Sequence, residues 1–221
     1  MKETQNFQLP LFPLQTVLFP TVPINLHIFE PRYQQMINLC IDEKSPFGVV
    51  LIREGVEALG PVAIPHSIGC TAQIIHVEKL SQGRMNITAI GKERFFIQAT
   101  HNNLPYLTGN VSLIQFHNKD NKDLEIQASR LHVQVARYLD LLSKAMTKPI
   151  ASNLLPTESI AKTYLSASIL HIPLIEKQKI LEINDGVFLV KTLRQIYNRE
   201  TAILQALIRH EGKFQGGFGL N

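Results

Sequence analysis

The residue types that carry out most enzyme chemistry are present in this chain, but they form no catalytic motif. Eight histidines are scattered along it, and the C-terminal segment RHEGK supplies only one of the two histidines of an HExxH zinc site. No Gly-x-Ser-x-Gly elbow and no cysteine-centred nucleophile signature occurs. The sequence therefore predicts that the chain is not an enzyme and that it has no catalytic residues, no metal and no cofactor.

Adjacent polar groups have simpler explanations than catalysis. Asp42 and Glu43 lie near a predicted turn, as expected of a solvated surface. Ser143 and Lys144 are consecutive on a predicted helix, where neighbouring side chains point apart. The two cysteines lack metal-ligand spacing and are expected to be small buried hydrophobic residues.

Arg32 and Tyr33 allow two interpretations. In the first, Glu30 is favoured by the dipole at a helix start, and Arg32 pairs with a neighbouring carboxylate such as that of Glu93. In the second, Arg32 and Tyr33 border a groove and help to hold a peptide. The sequence does not decide between them.

Phenylalanines could form an apolar wall for a polypeptide. Phe95 and Phe96 are adjacent on a predicted strand, so only one of them can face inward unless both faces of the sheet are covered. Phe12, Phe19 and Phe29 are further candidates, although each is also explained as part of the core. The candidate substrate-binding residues are Arg32, Tyr33, Phe95 and Phe96.

The charge distribution argues against nucleic acid as the main partner. Residues 1–117 contain eight basic and eight acidic residues, so the net charge of +4 comes from the second half. A neutral first half is a poor electrostatic match for a phosphate backbone. Arg84, Lys92 and Arg94 could still cluster near the turn at Gly83, with Glu93 among them.

The stretch Leu9–Phe29 has no formally charged side chain and is long enough to cross a bilayer, which takes about 20 apolar residues as a helix. Pro10, Pro13, Pro20 and Pro23 make that helix untenable, because each removes a backbone N–H. We expect short extended pieces and no membrane segment. The N-terminus also lacks the apolar core of a signal peptide, so cytoplasm is the expected location.

Strand patterns fill the first half and helix patterns the second. Alternating apolar residues predict strands within 47–52, 69–80, 84–101 and 106–116, with a bulge or bend at Gly91 and a helix from about residue 30 to 42. After the polar stretch His117–Asp123, apolar residues recur every three or four positions. We expect an α+β chain with a β subdomain at 1–117, a helical bundle at 118–212 and a tail at 213–221.

Several stretches together resemble the N-terminal, substrate-binding domain of the Lon family of ATP-dependent proteases. They are LPLFPLQTVLFP, LHIFEPRY, GCTAQIIHVEKLSQGRMNITAIGKERFFI, LPYLTGNVSLI and SILHIPLIEKQKILEI. The resemblance implies a PUA-like β-barrel followed by an α-helical bundle. It also implies binding of unfolded or tagged polypeptides, with weak self-association, and docking to a separate ATP-dependent protease or chaperone.

The sequence departs from the full-length proteases in lacking a phosphate-binding loop. The nearest match to G-x-x-x-x-G-K-[ST] is GRMNITAIGKE, which has seven residues between its glycines and Glu93 in place of Ser or Thr. Thr21 also replaces the family glycine after LFP. The main hypothesis is a non-catalytic polypeptide-binding module. The alternative is RNA binding, because PUA-like barrels are also used on RNA.

If the uncharged opening belongs to the core, truncating it should be costly. We expect Leu18→Ala or Phe19→Ala to lower the free energy of unfolding by about 3–5 kcal/mol, through lost apolar burial and a residual cavity. Chemical denaturation measures this change. A loss below about 1 kcal/mol at both positions would place the segment at the periphery.

Overall fold

The computed structural model describes residues 6–56, 63–117, 122–146 and 159–215 of the chain. In these ranges strands occupy the first half and helices dominate the second, so the predicted α+β class is confirmed. The elements are β1 (Asn6–Leu14), β2 (Pro23–Ile28), α1 (Pro31–Asp42), β3 (Phe47–Glu54), β4 (Ile64–Pro65), β5 (Ile68–Lys79), β6 (Met85–His101), β7 (Thr108–Leu113), α2 (Lys122–Met146), α3 (Ser159–Ile169), α4 (Leu174–Leu181) and α5 (Gly186–Gln215).

Five strands close into a ring in the order β1, β7, β6, β5, β3 and back to β1. The pairing of β1 with β3 is parallel, and the other neighbours in the ring are antiparallel. β2 and β4 lie outside the ring, on β6 and β3 respectively. The ring encloses an apolar cluster formed by Leu9, Leu11, Val50, Phe95, Ile97, Leu107 and Val111.

The opening segment forms the two extended pieces that its prolines predict, β1 and β2. Leu18 and Phe19, in the link between them, are 3% and 0% exposed. These residues therefore meet the burial condition on which the truncation prediction depends.

Gly91 marks the predicted irregularity in β6. The register between β5 and β6 shifts there, since Ala72 pairs with Gly91 whereas Cys70 pairs with Arg94. A Cβ atom at Gly91 would lie 2.2 Å from the carbonyl oxygen of Phe19. Only glycine allows the opening segment to approach the bent strand this closely.

The chain divides into two compact units, and the division differs from the predicted subdomains. The first unit contains Met1–Phe116 and Ala167–Asn184, and the second contains His117–Ser166 and Asp185–Asn221. α4 therefore belongs with the strands, although its sequence suggested a place in the bundle. α5 extends to Gln215, and the rest of the predicted tail lies outside the described residues.

Two buried polar side chains attach α4 to the barrel. Arg94 on β6 is 3% exposed, and its guanidinium donates to the carbonyls of Leu181, at 2.9 Å, and Ile183. Gln178 on α4 donates to the carbonyl of Ile68 at 3.0 Å. A cation at a helix C-terminus complements the helix dipole and serves carbonyls that have no partner within the helix.

In the second unit, α2 and α5 pack through the stripe that the sequence predicted. Its members Leu124, Ala128, Leu131, Val135, Tyr138 and Leu142 are buried, and the side chain of its last member, Ala145, is not among those described. The ring of Tyr138 meets that of Tyr197 edge-on at 5.3 Å, and the Tyr197 hydroxyl donates to the carbonyl of Ser166 at 2.8 Å. Among the described helices, none is both long enough and apolar enough to span a bilayer.

The two cysteines are free and buried, as the sequence suggested. Burial raises the pKa of the Cys40 thiol to about 11, and it raises the pKa of the Cys70 thiol as well. The folded protein therefore keeps both thiols protonated under conditions that ionise them in the unfolded chain.

Removing the Arg94 guanidinium should destabilise the first unit. We expect Arg94→Met to lower the free energy of unfolding by about 2–4 kcal/mol, because the buried carbonyl of Leu181 and the partly buried carbonyl of Ile183 lose their charged donor. Arg84→Met is the matched control, since the Arg84 guanidinium bonds to Ser81 in the adjacent turn. Chemical denaturation gives the energies, and amide exchange of α4 should accelerate for Arg94→Met alone. Equal effects of the two variants would contradict this role for Arg94.

The raised cysteine pKa values predict a loss of stability in alkali. An unfolded thiol ionises near pH 8.5 while the folded one stays protonated, so the unfolded state binds fewer protons and stability falls as pH rises above about 9. Urea unfolding at a series of pH values measures this slope. The double variant Cys40→Ala, Cys70→Ala should show a shallower decline up to about pH 10, and an unchanged decline would contradict the assignment.

Candidate functional site

The first turn of α1 presents Arg32 and Tyr33. The helix begins after Glu30, whose backbone is extended, and Pro31 fits a first helical position because no N–H is needed there. Tyr33 belongs to the buried face of α1 and is 6% exposed. Arg32 lies beside the Glu30 carboxylate, with Nη2 at 2.9 Å and Nε donating at 3.0 Å.

Two depressions adjoin Tyr33, and both lie within the first unit. The larger has a volume of about 350 Å³ and is lined by Phe12 and Leu14 of β1, residues 25–30, and Tyr33. The smaller, of about 50 Å³, lies where Arg32 and Tyr33 meet Pro13 and residues 104–107. We refer to the larger one as the β2 cavity.

Aromatic contacts fix the floor of the β2 cavity and leave its mouth exposed. The rings of Phe12 and Tyr33 are stacked, with their centres 4.0 Å apart. The Arg32 guanidinium lies 4.6 Å from the centre of the Tyr33 ring. At the mouth, Phe29 is 49% exposed and stacks against the imidazole of His27 at 5.9 Å. The site thus offers a fixed aromatic base and an apolar side chain accessible to solvent.

β2 forms one wall of this cavity and leaves a strand edge open. It pairs antiparallel with β6 from Pro23 to Ile28. In the part of the chain that is described, β6 is the only strand that pairs with β2. A strand edge exposes backbone donors and acceptors that can pair with another chain.

The structure brings together only two of the four candidate residues, Arg32 and Tyr33. Phe95 is fully buried in the barrel cluster. Phe96 is 44% exposed on β6, but it lines neither depression. The acidic neighbour of Arg32 proves to be Glu30, whereas the candidate partner Glu93 lies on β6, where its backbone N–H bonds to the Thr71 hydroxyl.

Sequence reasoning missed the role of β2. The signal was present in the alternation of Ile24, Leu26 and Ile28 with the polar Asn25 and His27. That pattern predicts a strand with one face buried. It does not reveal that the strand stands at an edge, because edge position depends on pairing between distant segments.

The three basic residues considered for RNA binding do not form one surface. Arg94 is buried and bonded to the end of α4, and Arg84 is bonded to its own turn. The basic groove that the RNA alternative requires is therefore not formed by these side chains.

Sequence comparison matches most of the chain to one family. The family described as the ATP-dependent protease La (LON) substrate-binding domain matches residues 8–195. Lon protease from Flavobacterium johnsoniae is 28% identical over 183 residues, which cover 80% of this chain and 22% of that protein. Lon protease from Syntrophus aciditrophicus is 28% identical over 211 residues, which cover 89% of this chain and 26% of that protein. The chain thus spans about a quarter or less of the length of these relatives.

Solved structures agree in fold. The crystal structure of a Lon N-terminal domain protein from Xanthomonas campestris has a TM-score of 0.62 at 23% identity, covering 86% of this chain and 98% of that one. The N-terminal domain of a Mycobacterium avium complex Lon protease has a TM-score of 0.63 at 15% identity, and the match covers 87% of this chain and 98% of that one. With the family match over residues 8–195, these observations show that the chain belongs to the family of Lon substrate-binding domains.

Proposed function

We propose that this chain acts as a non-catalytic module that binds unfolded or partly folded polypeptides at the β2 cavity. The observation that carries the proposal is the half-exposed Phe29 at the mouth of a cavity based on Phe12 and Tyr33. Its volume of about 350 Å³ is at the lower end of the range of roughly 300–1,000 Å³ typical of ligand pockets, which suits one or two apolar side chains.

The charges around the cavity favour an uncharged segment. Among the described residues that line it, Glu30 is the one with a formal charge, and the Arg32 guanidinium lies against that carboxylate. An apolar segment therefore meets a nearly neutral rim and leaves no buried charge without a partner. Unfolded proteins expose such segments and folded proteins conceal them, so the cavity can discriminate by folding state.

The family also supports a connection with proteolysis. The relatives that match carry the name Lon protease, and this chain aligns with about a quarter or less of their length. We propose that captured polypeptides are passed to an ATP-dependent protease or chaperone. The binding step itself needs neither nucleotide nor bond cleavage, since an apolar cavity and a strand edge act at equilibrium.

Substituting the mouth of the cavity should weaken binding of an unfolded protein. A suitable probe is a reduced and carboxymethylated protein that contains tryptophan, because this chain has no tryptophan and only the probe then reports. We expect Phe29→Ser to raise Kd about 5- to 30-fold, which corresponds to roughly 1–2 kcal/mol for a lost aromatic contact. A titration followed by tryptophan fluorescence measures Kd.

Phe96→Ser is the matched control. Phe96 has nearly the same exposure as Phe29, 44% against 49%, but it lies outside the cavity, so its substitution should change Kd less than about twofold. A loss of affinity in Phe96→Ser without a loss in Phe29→Ser would move the binding surface to β6. Binding to the unfolded probe no tighter than to its folded form would refute the proposed function.

A further inference from the structure

The open edge of β2 lies beside the cavity and carries backbone groups of its own. The inference drawn from it rests on the proposed function, since it specifies how a polypeptide is held at that site. Side chains of an unfolded protein vary, whereas its backbone does not. A site that reads backbone groups could therefore accept many sequences.

Hydrogen bonding to β6 shows which residues of β2 face outward. Successive residues of a strand direct their N–H and C=O groups to opposite edges. The Gly91 amide donates to the Val22 carbonyl at 3.0 Å, so Val22 faces β6. Ile24 and Leu26 have the same parity as Val22 and also face β6. Asn25 and His27 have the opposite parity, and they direct their N–H and C=O groups away from it.

Pro23 supports this assignment independently. It pairs with Ile90 in the ladder but has no N–H to donate. Because the backbone groups of Pro23 point away from β6, the absence of an N–H removes no hydrogen bond between β2 and β6. Proline on an edge strand usually occupies such a position. Within the described ranges, no backbone partner is found for the outward groups of Asn25 and His27.

The edge is held in place by side chains on the same face. The Thr88 hydroxyl donates to Asn25 Oδ1 at 2.8 Å, and His27 Nδ1 lies 2.8 Å from Asn86 Oδ1. Asn86 in turn donates to the Glu78 carboxylate at 2.8 Å, so one row of contacts crosses three strands. The outward groups are thus fixed before a ligand arrives, which lowers the entropy lost on binding.

The edge also has two defined ends. Pro23 offers only a carbonyl at the start, and the Phe29 carbonyl is already bonded to the Gln34 side chain at 3.1 Å. Asn25 and His27 are therefore the two residues of β2 that present both an N–H and a C=O group at this edge. Their spacing, two residues along a strand, corresponds to about 6.7 Å and matches alternate residues of an extended chain.

We propose that an extended segment of an unfolded protein binds as an added strand on β2, pairing its backbone with Asn25 and His27. The residue of the added strand that lies opposite Leu26 directs its side chain to the same face of the sheet as Leu26. An apolar side chain at that position enters the β2 cavity. Backbone pairing supplies affinity without regard to sequence, and the cavity selects segments with an apolar side chain at one position.

N-methylation of a peptide tests the backbone pairing directly. The probe is an acetylated and amidated nine-residue peptide with a central phenylalanine flanked by alternating threonine and valine. A methyl group on a peptide nitrogen removes one donor and blocks approach at that point. We expect alternation, with single N-methyl groups weakening binding at least tenfold at every second central position and less than twofold between them.

The phase of the alternation reports the direction of the added strand. In an antiparallel arrangement the bonded residues lie opposite Asn25 and His27, so the neighbours of the phenylalanine are sensitive. In a parallel arrangement the phenylalanine itself is sensitive. Either phase supports strand addition. Strand addition would be overturned if N-methyl groups were tolerated equally at all positions, or if a chain that binds the unfolded protein did not bind the peptide. Either result would leave the proposed function standing.

The protein side has a matched pair of variants. Asn25→Pro removes the outward N–H, and Asn25→Ala retains it, while both lose the contact with Thr88. We expect Asn25→Pro to bind the peptide at least fivefold more weakly than Asn25→Ala, with circular dichroism confirming the fold. If the proline variant does not fold, the N-methyl series on the natural chain still decides.

A second copy of the chain is the competing occupant of this edge. Sedimentation velocity over a range of concentrations detects it. A dimer that disappears in Asn25→Pro and is displaced by no peptide would overturn the assignment of the edge to unfolded proteins. A monomer throughout the range, together with the alternating N-methyl pattern, would support it.

Discussion

Backbone hydrogen bonding, limited by proline, is the constraint on which the first unit depends. The prolines of the opening segment exclude a helix, so its buried backbone groups must find partners in other strands. β1 meets this requirement inside the ring, between β3 and β7. Within the described part of the chain, β2 meets it on one side only, through β6. The closed barrel and the open edge are therefore two results of the same restriction.

Three residues in the segments by which the chain resembles its family help to provide partners for buried backbone groups. Gly91 allows the Phe19 carbonyl to approach the bent strand, and Arg94 reaches the C-terminal end of α4. Gln178, in the stretch EKQ, bonds back to Ile68. Each of these residues satisfies backbone groups that burial would otherwise leave without a partner. None of these three lines the β2 cavity, whereas Phe12 and Tyr33, which do, belong to other stretches that carry the resemblance.

Local patterns predicted most of the fold because they depend on neighbours in sequence. The spacing of apolar residues predicted α2, the prolines predicted the extended opening segment, and Gly91 predicted the bend in β6. The attachment of α4 to the strands was not predicted, because it depends on Arg94 and Gln178, whose partners are distant in the chain. For the proposed site, the sequence singled out Arg32 and Tyr33, of which Tyr33 lines the β2 cavity and Arg32 lies against its ring. It did not single out β2, since an open edge is a property of pairing.

The two ends of the β2 edge set a limit on what can assemble there. Pro23 offers no N–H, and the Phe29 carbonyl is already bonded to Gln34, so a paired chain can extend over only a few residues. Fibril-forming segments usually need six or seven residues of unbroken pairing, stacked copy upon copy. An edge of this length is open to one short strand and is too short to template a growing sheet of that kind.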